Sequence, residues 1–337
     1  MKKEKKMKNP RLGTVGGEAV LEGVMMKSGD RYAVSVRKED GSIQTVRDSC
    51  VSIRKRVKIL NIPVVRGVVN MVETMKLSYK ALSISAEAMG IDEAEEESRF
   101  EKWLREKLGK NIMDIVMGIS MVLGVALGVG LFFFLPIWIT KGIDAAAGGS
   151  LGWLKNVIEG LIKIAIFVGY LWAVSLMKDI RRTFEYHGAE HKSIFCYESG
   201  EELTPENVAK FKRFHPRCGT SFLFVMLILS IFINSLPFVT WDNMLLRMLT
   251  KLLLLPLIVG IGYELLMFTG KHDNAFTRII AAPGMWMQHL TTREPDLEQI
   301  AVAIRSIKAV LPEEFPEESG AGETECPSDA DPLGEDA

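Results

Sequence analysis

Four long apolar stretches dominate the hydropathy pattern of this chain, and polar segments of quite different character separate them. They run over Ile112–Ile139, Leu151–Met177, Thr220–Val239 and Met244–Thr269. A bilayer core about 30 Å thick takes about 20 apolar helical residues, so each stretch predicts a transmembrane helix. Little more than PFVTWDN joins the last two, and the small-residue turn TKGIDAAAGGS joins the first two. Ahead of the spans, YAVSVR and SIQTVRD alternate apolar and polar side chains around KEDG, which predicts a β-hairpin over Arg31–Asp48. Pro63 then opens PVVRGVVNMVETMKLSYKALSISAEAM, whose apolar residues fall near helical spacing. After the fourth span, IIAAPGMWMQHL is apolar, too short to cross, and expected to break at Pro283-Gly284, so it reads as interfacial or re-entrant. Asp296 and Gln299 make a capping-box pattern before LEQIAVAIRSIKAVL, an amphipathic helix.

The fold class is therefore a mainly α membrane protein: four transmembrane helices, a small N-terminal cytosolic α+β region and a cytosolic loop of metal-ligand type. Its segments are a basic tail (1–11), a β-hairpin plus helix region (12–91) and a charged linker helix (92–111). The first two spans (112–178), the central loop (179–218) and the second two spans (219–270) follow. An interfacial segment with the amphipathic helix (271–311) and a disordered acidic tail (312–337) complete the chain.

Charge settles the orientation expected of the spans. The net charge is -1, but the first eleven residues carry six basic side chains against one acid. The tail from Pro312 carries ten acids and no base, with little to bury. Arg99, Lys102, Arg105, Lys107 and Lys110 precede the first span, and Lys178, Arg181, Arg182, Lys192, Lys210, Lys212, Arg213 and Arg217 lie between the second and third. By the positive-inside rule these connections and both termini face the cytosol of a bacterial cytoplasmic membrane. The basic residues are not interleaved with stacking aromatics, so nucleic acid is not an expected partner. The lipid bilayer is, along with a membrane-protein partner or a second copy of the chain. The basic start runs into polar, glycine-rich sequence, unlike a cleavable signal peptide. Four scattered cysteines, two of them (Cys196 and Cys218) in the central loop, fit reduced thiols or metal ligation better than disulfides.

Charges within the spans are few. Glu159 and Lys163, four apart, are expected to pair. Glu264 lies deep in the fourth span without a partner in its own turn, and is either bonded to a neighbouring helix or functional. Gly124 and Gly128 stand in the GxxxG spacing of close helix packing.

Candidate chemistry concentrates in the central loop. Residues 187–191 read HGAEH, and positions four apart share a helix face, so His187 and His191 could hold one metal ion. The order His-x-x-Glu-His is the inverted zinc-hydrolase motif, with Glu190 as the candidate catalytic base. His215 and Cys218, in HPRC, add two ligand-type side chains, and this mix suits zinc or a similar divalent transition metal. If His187, His191, His215 and Cys218 all bind, the site is closed and structural. If three bind, a position stays open and Glu190 has a water to activate. A carboxylate third ligand would come from Glu198, Glu201, Glu202 or Glu264. Otherwise the two histidines are interfacial and pair with acids such as Glu185. Glu18 and Glu22 read first as solvated acids, and His289 as a local anchor. A straight extension of the second span would carry His187 about 15 Å beyond Met177, so the extension must either bend back, with Gly188 a possible place, or lie along the membrane surface, as its arginines and aromatics favour. Thr204-Pro205 is a helix start that would return the chain toward the third span.

Four blocks carry a resemblance: GGEAVLEGVMMKSG (Gly16–Gly29), YHGAEHKSIFCYE (Tyr186–Glu198), FHPRCGTSF (Phe214–Phe222) and PGMWMQHLTTREPD (Pro283–Asp296). In this order they resemble the YqhQ-like family of bacterial membrane proteins, over nearly the whole chain apart from its charged tails. The resemblance implies a membrane protein described as a metal-dependent enzyme. It places His187, Glu190, His191, His215 and Cys218 at the family's polar motif positions, and it implies no substrate. Two functions follow as expectations. One is a metal-dependent hydrolase acting on a membrane-associated peptide or lipid. The other is a non-catalytic assembly or translocation partner stiffened by a structural metal. A transporter fits less well, because so few polar residues lie within the spans.

Overall fold

The computed structural model describes residues 9–90, 122–236, 243–271, 274–316 and 323–325. The linker helix expected over 92–111, the start of the first span, the connection at 237–242 and most of the acidic tail lie outside the described residues.

The N-terminal region is a meander of four antiparallel strands, β1 (Gly16–Val20), β2 (Gly23–Ser28), β3 (Arg31–Arg37) and β4 (Ile43–Ser49), in that spatial order. The hairpin expected over Arg31–Asp48 is β3–β4, and Leu21-Glu22 closes a second hairpin before it. Alternation gives the sheet two apolar faces. A short helix α1 (Ile53–Arg56) leads to α2 (Val65–Ala88), which lays Leu77, Ala81 and Ile84 on the face formed by Val20, Met25, Val34 and Val36.

Next come α3 (Val122–Ala146), α4 (Leu154–Val174), α5 (Lys178–Ser199) and α6 (Pro205–Ala209). They are followed by α7 (Gly219–Asn234), α8 (Met244–Lys271), α9 (Ala275–Thr291) and α10 (Leu297–Val310). Helices α5 and α10 cover the second sheet face, where Ile300, Ile307 and Ala189 pack with Val24, Met26 and Ala33. The Ser306 hydroxyl ties α10 to the Ala33 carbonyl at 2.9 Å. The sheet is thus the middle of three layers. Of the tail expected to be disordered, Phe315 packs on this core, and Glu323–Glu325 forms a short strand, β5, parallel to β4.

Among the described residues, three helices are long and apolar enough to cross a membrane: α3, α4 and residues Met248–Thr269 of α8. Four were expected. The described part of the remaining one, α7, has 16 residues. At 1.5 Å per residue that is about 24 Å, short of a bilayer core of about 30 Å. The break expected at Pro283-Gly284 is also absent, since α9 runs through both. Close packing on α7 supports the helix there: a Cβ at Gly284 would meet Ser221 Cβ at 2.5 Å.

Two charge expectations change. Glu159 pairs with Lys251 of α8 instead of Lys163, both partners being buried. Lys163 stands 5.0 Å from the centre of the Phe133 ring. Glu264 is held by Arg66 at the start of α2, with Nε donating at 2.6 Å, so it bonds a neighbouring helix. Gly124 and Gly128 face open space among the described residues.

The bend that brings α5 off the end of α4 lies at Ser175–Met177, where Met177 is extended (φ -70°, ψ 135°), and not at Gly188. Gly188 serves a close approach. The Arg293 N–H donates to the Phe184 carbonyl at 2.8 Å, and a Cβ at 188 would lie 2.0 Å from the Arg293 carbonyl oxygen. Gly188→Ala should therefore displace the segment at 293–295 and destabilise the fold by about 1–3 kcal/mol. Gly16→Ala, whose Cβ meets nothing within 4 Å, should not. Thermal unfolding of the two variants in detergent checks this, and equal melting temperatures would contradict the packing.

Candidate metal centre

Helix α5 supplies His187, Glu190 and His191 from one face, as the three- and four-residue spacing requires. Three other segments close on that face: β1, the end of α9, and the loop from α6 into α7. Thr204 caps α6 by accepting the Asn207 N–H at 3.3 Å, and this turn sends the chain back past α5. Gln288 of α9 then grips the returning loop with both amide atoms. Its Oε1 accepts the His215 N–H at 2.7 Å, while its Nε2 donates to the His215 carbonyl at 2.7 Å and to Ser221 Oγ at 2.9 Å.

The result is a buried group of His187, His191 and Cys218 whose ligand atoms lie within 4.8 Å of one another. The imidazole rings of the two histidines are 4.4 Å apart between centres. Each ring has its Nδ1 on a main-chain carbonyl: His187 on Thr291 at 2.8 Å, His191 on Arg213 at 2.5 Å. A carbonyl oxygen only accepts, so in each neutral ring Nδ1 carries the proton and Nε2 keeps a free lone pair. Nε2 of His187 lies 3.2 Å from Cys218 Sγ, and Nε2 of His191 is buried with no hydrogen-bond partner among the described residues. Two oriented lone pairs and a thiol are a donor set that fits a divalent transition metal, with the carbonyls in the supporting role such sites use.

His215 does not join this group. Its ring sits behind His191, 5.4 Å between centres, and its nitrogens face Arg217, with the Arg217 N–H on Nδ1 at 3.3 Å. Burial first, then the His191 imidazole and the Arg217 guanidinium, hold its pKa down at about 2, so it stays neutral. None of the four carboxylates considered as a third ligand reaches the site. Glu198 binds Arg217 and the Gly13 N–H, Glu201 and Glu202 are exposed, and Glu264 binds Arg66. Glu185 accepts from Gln299 at 3.0 Å instead of pairing with either histidine. His289 stays local, its Nδ1 on the Trp286 carbonyl at 2.9 Å. Cys196 is a buried thiol, pushed up to about 11 by burial, away from the cluster.

Glu190 is 4 % exposed and its Oε2 lies 3.9 Å from His187 Nε2. That oxygen has no hydrogen-bond partner among the described residues, and burial pushes the carboxyl up to about 7. Glu18, read from sequence as a solvated acid, lines the same cavity of about 730 Å³. It accepts from the Ser78 hydroxyl through Oε2, its Oε1 is buried without a partner among the described residues, and burial raises its pKa. Glu22 has a different task. In the β1–β2 turn it accepts from Arg182 at 2.7 Å and from Tyr186 at 3.2 Å, pinning the sheet to α5. Gln288 and the carbonyls of Thr291 and Arg213 gave no sequence signal as site residues, because main-chain acceptors and a lone glutamine carry none.

Comparison with known proteins identifies the family and adds no chemistry. The family described as "Protein of unknown function (DUF1385)" matches residues 62–313, a range that includes all three members of the buried group. The chain is similar to "Uncharacterized protein YqhQ" of Bacillus subtilis (strain 168), with 34% identity over 297 residues, covering 88% of this chain and 92% of that one. No solved structure matches. A match over most of the chain establishes that the protein belongs to the DUF1385 family, and a relative this similar along nearly its full length makes it YqhQ-like.

Proposed function

We propose that the protein is a membrane-bound, metal-dependent hydrolase of zinc type. His187, His191 and Cys218 are the ligands and Glu190 is the proton-handling residue. The observation that carries this reading is the buried group of two imidazoles and a thiol with ligand atoms within 4.8 Å of one another, each imidazole holding a main-chain carbonyl through Nδ1 and so keeping Nε2 for a ligand. Imidazole and thiolate together favour zinc over hard cations. Three protein ligands leave a coordination position open, which is the arrangement of catalytic zinc and not of structural zinc. When bound, the cation supplies Lewis acidity and a water of lowered pKa. Glu190, beside the ligands, takes the proton of the attacking water and returns it to the leaving group. Gln288 and the two carbonyls hold the ligand geometry. The basic residues of the connection between α4 and α7 support a cytosolic site by the positive-inside rule, and the exposed apolar faces of α3, α4 and α8 suit lipid.

Cobalt loading of the purified chain tests the ligand set. The wild type should show sulfur-to-metal charge-transfer absorption that Cys218→Ser abolishes. His187→Ala and His191→Ala should lose the metal, whereas His215→Asn should keep it. Normal metal content in a His187→Ala, His191→Ala double variant would end the metal reading altogether.

The role of Glu190 has its own test. Glu190→Gln should retain the metal while hydrolysis of bilayer-embedded ester and peptide substrates falls by about 10²–10⁴-fold. If Glu190→Gln supports growth of a deletion strain as the parent does, while His187→Ala folds poorly, the metal is structural. The protein is then an assembly partner and not an enzyme.

A further inference from the structure

We propose that the substrate is an extended polypeptide segment that adds to the free edge of β1 as a further strand. This rests on the hydrolytic reading above and names its substrate class. The sheet begins at β1, which pairs only with β2 among the described residues. The register fixes which main-chain groups are left over. The Arg37 N–H bonds the Glu22 carbonyl, so even-numbered positions of β2 bond β3 and odd-numbered ones bond β1. In β1, therefore, Gly16, Glu18 and Val20 turn their N–H and C=O toward β2, and Gly17 and Ala19 turn theirs outward.

That outward edge borders a cavity, with Gly16 and Gly17 exposed. Gly16, Gly17, Glu18 and Ala19 form one wall of the cavity of about 730 Å³, and His187, Glu190 and Cys218 form another. A Cβ at Gly17 would lie 3.1 Å from Glu190 Cγ, so the strand runs against the proton-handling residue itself. Two N–H and two C=O groups, repeating about 7 Å apart, match the main chain of an extended peptide. A lipid ester offers no N–H to the outward carbonyls. Glu18 Oε1, buried without a hydrogen-bond partner among the described residues and part of the same cavity lining, is one more acceptor for a peptide N–H. In the reaction, the hydroxyl of water adds to the scissile carbonyl carbon and the C–N bond breaks. The proton left on Glu190 passes to the departing amine.

Hydrogen–deuterium exchange on the full chain in lipid nanodiscs, loaded with zinc, tests this directly. The probe is a degenerate mixture of short peptides with both ends blocked, set against vesicles of phosphatidylglycerol. The peptides should slow exchange at the Gly17 and Ala19 amides at least about tenfold, as pairing of a fraying edge requires. Ala19→Pro removes an outward N–H and should abolish peptide binding while leaving metal content and the charge-transfer band intact. Unchanged exchange at saturating peptide, parental binding by Ala19→Pro, or protection by the lipid alone would overturn the proposal. Metal content measured on the same samples separates the two readings. Peptide protection in a protein that holds no metal sinks the hydrolase and keeps the strand pairing. Lipid hydrolysis with an unprotected β1 does the reverse.

Discussion

The carbonyls of Thr291 and Arg213 each hold the Nδ1 proton of a histidine on α5, and this pair of hydrogen bonds constrains everything around it. They decide the tautomer of both rings and the direction of both free nitrogens. For that to work, three separate pieces of chain must meet α5 at fixed height. The end of α9 brings Thr291, the loop after α6 brings Arg213, and the start of α7 brings Cys218. Gln288 fastens the first of these to the second, and the Arg293 backbone crosses α5 over Gly188, where only a hydrogen fits. The site is thus assembled by main-chain positions, and the conspicuous side chains only occupy it.

The apolar helices are joined to this assembly by polar contacts and not by packing alone. Arg66 and Glu264 link the start of α2 to α8, and the buried Glu159–Lys251 pair links α4 to the same helix. A buried ion pair gains little net stability, because desolvation offsets attraction, but losing one partner leaves a costly lone charge. Such pairs therefore fix which helix faces which. The contact of Gly284 with Ser221 carries this order into the metal centre, since Gln288 lies one turn further along α9.

Sequence periodicity revealed what local geometry controls. The i, i+4 spacing put His187 and His191 on one face, the alternation around KEDG marked β3 and β4, and the Asp296/Gln299 box capped α10 as read. It failed where a distant partner won. Lys251, 92 positions from Glu159, displaced the neighbour four residues away. Packing on α7 overrode the helix-breaking tendency of Pro283. His215 had the chemistry of a ligand but is turned toward Arg217 by a loop whose path no spacing rule gives. GGEAV, with two glycines and one charged residue in five, carried no strand signal, so Glu18 looked like surface when it is a wall of the cavity.

Three buried acceptor atoms, Glu18 Oε1, Glu190 Oε2 and His191 Nε2, lack a hydrogen-bond partner among the described residues, and the cavity collects the residues of all three. An unsatisfied buried polar atom costs about 1–3 kcal/mol, so three in one place is an expensive arrangement for a resting protein. Donors could have been supplied, since Arg217 lies within the same lining, yet its guanidinium is spent on Glu198. Buried acceptors left in this state are completed by a cation or by a ligand rich in N–H groups, and so the proposed metal and the proposed peptide both find their partners in this one cavity.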